Sequence, residues 1–317
     1  MSTPPANVPG QEHWTKKGDV NLYLGEKRAV AGAGSALIGN AATGTANRGT
    51  VLWVHGSSMA STPTFDLDVP GRADSSAMEW FARRGFDNWC VDMEGYGRSD
   101  KKRDINSDIS NGADDLAAAT DYITRTRGTK KFLIYGISSG ALRAALFAQR
   151  YPERVARLAL DAFVWTGEGA PTLVERRKKL PDFIARNRRP IDRAFVHSIF
   201  ARDHPGCAEE RVIEAFADAI LALDDSMPTG TYVDMCSKLP IVDPLQIHAP
   251  TLLMRGEFDG IAALADLIAF FEKLPNADKQ FAMMAGISHA SFQQKNYLMC
   301  YHILHSFFSQ PEPVYRG

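Results

Sequence analysis

Six short apolar runs punctuate this chain: VLWV at 51–54, FDNWCVDM at 86–93, KFLIYGI at 131–137, RVARLALDAF at 154–163, PTLLMRG at 250–256 and KQFAMMAG at 279–286. The VLWV run, polar before and glycine-terminated after, typifies a strand buried on both faces. Helical patterns separate the runs. GADDLAAATDYITRTRG at 112–128 shows the polarity of a helix, with acids early, arginines late and glycine after. SSAMEWFARRG, SGALRAALFAQRYP, AALADLIAFFEKL and QQKNYLMCYHILHSFF read the same way, with Gly85 and Pro152 as stops. Alternating strand and helix predicts an α/β fold: a mostly parallel sheet with helices on both faces. A further strand pair is read over about residues 19–39, DVNLYLGEKRAV then SALIGN.

The alternation stops between the fourth and fifth runs. Residues 163–247 carry helical patterns and no obvious buried strand; AEERVIEAFADAILAL is amphipathic, with Val212, Phe216, Ile220 and Leu223 near one face. This stretch reads as a helical cap inserted after the sixth strand. It divides the chain into a first core part at 19–162, the cap at 163–247 and a second core part at 248–310.

Bulk properties exclude several function classes. With 317 residues and a net charge of -1, nothing steers the chain toward nucleic acid or an anionic membrane. No apolar run reaches the roughly 18 residues of a membrane span. The opening MSTPPANVPGQEHW lacks a basic region followed by an apolar stretch, so it reads as a loose tail or an arm and not as a secretory signal. Cys90, Cys207, Cys236 and Cys300 are scattered, without zinc spacing, and read as free buried thiols in a reducing, cytoplasmic compartment. No histidine pair has HExxH spacing, so no metal site is expected.

The chemistry-bearing residues fall at the C-terminal ends of predicted strands. Gly136-Ile137-Ser138-Ser139-Gly140 follows KFLIY and opens a helix, the strand–turn–helix setting of a nucleophile elbow. Without that setting the string could equally be a glycine-rich turn. His55-Gly56 ends the VLWV strand and leads into Ser57. Asp259 lies in RGEFDG after the fifth run, and His289 in GISHAS after the sixth. A serine hydroxyl needs a base to take its proton, and the histidine needs a carboxylate to hold its tautomer. Glu257 and Asp161 are rival carboxylates. The loop DMEGYGRSD at 92–100 has no catalytic role derivable from its residues.

In their order along the chain, the HG pair, the DMEGYGRSD loop, the elbow, RGEFDG and GISHAS resemble the α/β-hydrolase superfamily, over roughly residues 19–310. The resemblance implies an eight-stranded sheet with a lid inserted after the sixth strand, and Ser138 as nucleophile, His289 as base and Asp259 as acid. It also implies that the amides of Ser57 and Ser139 form the oxyanion hole. One departure is Ala141-Leu142 after the elbow, where many relatives have another glycine. The expected activity is hydrolysis of a small or medium carboxylic ester without a cofactor. Carbon–carbon bond cleavage or amide hydrolysis on the same fold are the alternatives, and a non-catalytic ligand-binding protein is a third. The expected partner is a small-molecule ester, and the oligomeric state is left open.

The segment PDFIARNRRPIDRAF concentrates Arg186, Arg188, Arg189 and Arg193. A solvated face explains them. The sharper expectation is that one, Arg186 or Arg189 foremost, grips a substrate carboxylate while Trp165 packs on its apolar part. The substrate would then be a monoester of a dicarboxylic acid.

Overall fold

The computed structural model describes residues 7–30 and 47–315. The main sheet contains β1 (Gly10–Lys17), β2 (Val20–Lys27), β3 (Thr50–Val54), β4 (Asp87–Val91), β5 (Phe132–Ile137) and β6 (Val155–Asp161). After the short strands β7 (Arg188–Pro190) and β8 (Ser226–Pro228), β9 (Thr251–Gly256) and β10 (Lys279–Met284) complete it. The eight strands run in the order β1-β2-β4-β3-β5-β6-β9-β10. The pairs from β4 to β10 are parallel, while β1–β2 and β2–β4 are antiparallel.

The parallel strands are apolar on both faces because helices cover both. Leu52 and Val54 of β3 join one core with the helices Ile109–Arg127 and Ser139–Arg150. Val51 and Trp53, pointing the other way, join a second core with the helices Ala77–Ala82 and Tyr297–Phe308. The helix Ile109–Arg127 starts three residues before the expected segment. Asp108 is its cap, accepting from the Asn111 N–H at 2.8 Å, and Gly128 ends it in the left-handed conformation. All four cysteines are buried and unpaired. Among the described residues, no helix is long and apolar enough to cross a membrane.

Between β6 and β9 the chain forms the helices Pro171–Arg177, Leu180–Ile184, Arg193–Ala201, Glu210–Leu221 and Gly230–Ser237. It also contains the antiparallel pair β7–β8, so this stretch is not wholly helical. Each of these strands is three residues long, with prolines at 190 and 228, too short for a periodic signal. In the amphipathic helix, Val212, Phe216 and Ile220 are buried as expected; Leu223 lies past its end.

The opening hairpin differs from expectation. SALIGN lies outside the described residues. The partner of β2 is instead β1, drawn from the segment read as a tail, through a two-residue turn at Gly18-Asp19. The inward residues of β1 are polar, which hid its alternation. His13 lies 2.9 Å from Glu26 and 3.0 Å from the Tyr122 hydroxyl. Lys17 donates to Asn111 at 2.8 Å, and pairs with Glu94 at 3.0 Å and with Asp115. Burial pushes the Asp115 carboxyl up to about 6 despite Lys17. In Lys17→Met, Asp115 is left buried without its cation. At pH 7.5 that variant should lose about 3 kcal/mol of stability in urea denaturation. The loss should shrink toward pH 5, because an acid whose folded pKa is raised costs stability only where it ionises. An unchanged urea midpoint at both pH values would mean that this cluster does not anchor β1.

Candidate active site

β5 delivers Ser138 into a turn with φ 58° and ψ −125°, a left-handed φ that non-glycine residues rarely adopt. Neighbouring backbone holds it there. The Ser138 N–H donates to the Asp161 carbonyl at 2.9 Å, and the helix Ser139–Arg150 starts at once. A Cβ on Gly136 would collide with the backbone of Gly140 and Ala141, and one on Gly140 with the carbonyls of Val54 and His55. Both glycines of the motif are therefore close-approach positions.

Asp259 follows β9 and His289 follows β10, so parallel neighbours bring both to the edge where β5 ends. His289 Nε2 lies 2.9 Å from Ser138 Oγ, and Nδ1 lies 3.0 Å and 3.1 Å from the two Asp259 oxygens. Asp259 Oδ1 also accepts from the N–H groups of Ile261 at 2.8 Å and Ala262 at 3.1 Å. Burial alone would raise this carboxyl. The charge and hydrogen bond of His289, with the two amides, overcome it and bring the pKa down to about 2. The rivals serve elsewhere. Asp161 accepts from the Tyr135 hydroxyl at 2.6 Å, and burial pushes it up to about 7. Glu257 accepts from the Gly286 N–H at 2.8 Å.

Ser57 and Ser139 meet side by side. Ser57 Oγ donates to Ser139 Oγ at 2.6 Å and accepts from Thr231 at 2.8 Å. Neither backbone N–H is hydrogen-bonded to a described residue, and Ser57 lines the same pocket as Ser138. His55 and Ser57 are both tied to the 92–100 loop. His55 Nε2 accepts from the Met93 N–H at 3.0 Å, and its Nδ1 faces the Gly56 carbonyl at 2.7 Å. Burial, then Arg143, holds the imidazole down to about 3, so it is neutral. Tyr96 donates to the Ser57 carbonyl at 3.3 Å. The 92–100 loop thus braces Ser57, a role that needs the three-dimensional register to be seen.

The pocket over Ser138 is walled by Gly56, Ser57, Ser58 and Met59 on one side. Arg176, Ile199, Arg202 and Tyr232, all from the segment between β6 and β9, form the other. The expected substrate contacts divide. Arg189 reaches the wall, donating to Ser58 at 3.0 Å and Tyr232 at 3.1 Å. Trp165 does not line the pocket: its indole N–H donates to the Val242 carbonyl at 3.1 Å and its ring packs on Phe270. Arg186 is exposed, Arg188 bonds the Gly95 and Ser226 carbonyls, and Arg193 pairs with Glu214 and Asp218. Sequence reasoning missed Arg176, Arg202 and Tyr232. The basic run Arg176-Arg177-Lys178-Lys179 was visible, but spacing does not tell which member of a short helix turns inward. On the surface, His197, Glu210 and Glu214 bring ligand atoms within 4.8 Å of one another. Arg193 already pairs with that Glu214.

The sequence model of the family described as serine aminopeptidase, S33, matches residues 45–296. No curated protein matches the chain in sequence. Among solved structures, E-2-(acetamidomethylene)succinate hydrolase is similar with a TM-score of 0.67 and 17% identity, over 95% of this chain and 100% of that one. An esterase from Exiguobacterium antarcticum gives 0.66 and 16%, over 95% and 100%. A thermophilic esterase from Thermogutta terrifontis gives 0.63 and 19%, over 94% and 99%. At these identities the structural likeness establishes the fold. The family match, which spans most of the chain, establishes more: this hydrolase belongs to the serine aminopeptidase S33 family of the α/β-hydrolase superfamily.

Proposed function

We propose that the protein hydrolyses small or medium carboxylic esters through an acyl-enzyme on Ser138. The observation that carries this reading is the continuous hydrogen-bonded line from Ser138 Oγ through His289 to Asp259. Ser138 Oγ attacks the carbonyl carbon as its proton passes to His289 Nε2. The developing oxyanion is met by the N–H groups of Ser57 and Ser139, which have no competing partner among the described residues. His289 then returns the proton to the alcohol oxygen as the acyl carbon–oxygen bond breaks. Water, deprotonated by the same imidazole, releases the acid. Asp259 stays ionised throughout, as its low pKa requires, and stabilises the imidazolium. The stretch at 163–247 acts as a cap, since four of its residues form one wall of the pocket.

A panel of 4-nitrophenyl esters and 4-nitroanilides of varied acyl length tests ester against amide preference. In it, Ser138→Ala should fold normally and lose about three orders of magnitude of turnover or more, leaving only binding and oxyanion contributions. A variant retaining more than about a tenth of wild-type turnover would remove Ser138 from the nucleophile's role.

The two candidate acids can be separated in the same assay. Asp259→Asn should lower kcat by about four orders of magnitude, because an amide cannot hold the imidazole tautomer. Asp161→Asn should cost far less, since its carboxyl bonds Tyr135 and not His289. A folded Asp161→Asn variant more damaged than Asp259→Asn would reassign the acid.

A further inference from the structure

The pocket beside Ser138 carries more positive charge than ester cleavage itself uses. Arg176 and Arg202 line it, and Arg189 reaches its wall. Among the described residues, only Arg202 of the three has a carboxylate partner, Asp203, bonded through Nε and Nη2 at 3.0 Å each. The hydrogen bonds of Arg189 go to the hydroxyls of Ser58 and Tyr232, and its buried Nε has no partner. The guanidinium of half-buried Arg176 makes no hydrogen bond or ion pair with any described residue; it lies 4.6 Å over the Tyr232 ring. Among the described residues, no Asp or Glu lines the pocket. A guanidinium drawn partly out of water without a counter-charge is costly, so this cluster favours an anion from outside. The Tyr232 phenol reports the same field. Burial would push it up, yet Arg189 and Arg176 bring it down to about 7.

The geometry points to a substrate that carries a carboxylate, paired with Arg176 and Arg189 beside Tyr232 while its ester carbonyl meets Ser138. The inference rests on the reading of Ser138 as nucleophile. A guanidinium fork can hold a carboxylate through two parallel hydrogen bonds, which gives orientation as well as charge pairing. Three guanidiniums grouped around one wall also disfavour a cationic substrate. An aminopeptidase must accept the free α-ammonium of its substrate. With no acid in the lining to receive one, this member of the family is built for the opposite charge. The residues differ from those the sequence suggested. Arg189 remains, Arg186 drops out, and Arg176 from another helix takes its place.

The test compares mono-4-nitrophenyl glutarate with 4-nitrophenyl valerate, which has the same acyl length and no charge, and with L-alanine 4-nitroanilide. Wild-type kcat/KM should favour the glutarate ester over valerate by about tenfold or more, as expected for a charge-assisted bidentate pair. The alanine anilide should be the poorest of the three. In Arg176→Gln the glutarate-to-valerate ratio should fall toward one, whatever the absolute turnover. A wild-type ratio near one, a ratio unchanged in the variant, or preference for the anilide would overturn the inference. Calorimetric titration of free glutarate into wild-type protein separates the two layers of the argument. If none of the three compounds is turned over, the nucleophile reading fails. The anion site then stands only if glutarate binds and Arg176→Gln weakens it about tenfold or more; otherwise it falls as well.

Discussion

The left-handed backbone at Ser138 is the constraint around which the site is arranged. A non-glycine residue in that region costs on the order of 1–3 kcal/mol, so its surroundings must hold it. The Asp161 carbonyl anchors its N–H, and the helix that follows begins directly beneath it. Gly140 lies against the backbone at the end of β3, and Gly136 against Gly140 itself. A side chain at Gly140 would push the helix Ser139–Arg150 off the end of β3, and one at Gly136 would push that helix off β5. The strain has a use: it lifts Ser138 Oγ off the sheet edge to within 2.9 Å of His289 Nε2.

A second layer keeps the neighbouring loop aimed at the same point. Neutral, buried His55 takes the Met93 N–H, and buried Arg143 donates to the His55 carbonyl at 3.2 Å. Asp92 accepts from the Ser61 N–H at 2.8 Å and from the Arg98 N–H at 2.9 Å, which closes the 92–100 loop on itself and on the next segment. The Ser57–Ser139 hydroxyl bond then joins that loop to the elbow, and Thr231 pins it from the segment after β6. The pocket wall and the reacting groups thus share hydrogen bonds.

Legibility in the sequence followed the physics of burial. Strands β3, β4, β5, β6 and β9 were readable because parallel strands with both faces covered are written in apolar residues, and the half-buried edge strand β10 by its short apolar run. Ser138, Asp259 and His289 were readable because each ends such a strand, so their meeting follows from topology. β1 was not, since its inward side chains are His13, Thr15 and Lys17, satisfied by charge pairing and hydrogen bonds instead of apolar contact. The β7–β8 pair was too short to show a period. Arg176, Arg202 and Tyr232 were hidden for a different reason. They come from three separate segments, and only the packing of 163–247 over the sheet edge brings them to one pocket.

In the proposed mechanism Ser138, alone among the described serines, carries an activated hydroxyl, because His289, oriented by Asp259, is placed to accept its proton. The most direct measurement is intact-mass analysis with peptide mapping after treatment with a neutral fluorophosphonate. A single adduct is expected, on the peptide that contains Ser138, formed at a rate that collapses in His289→Ala. Absence of an adduct on correctly folded protein, an adduct on Ser57 or Ser139 instead, or labelling indifferent to His289 would contradict it.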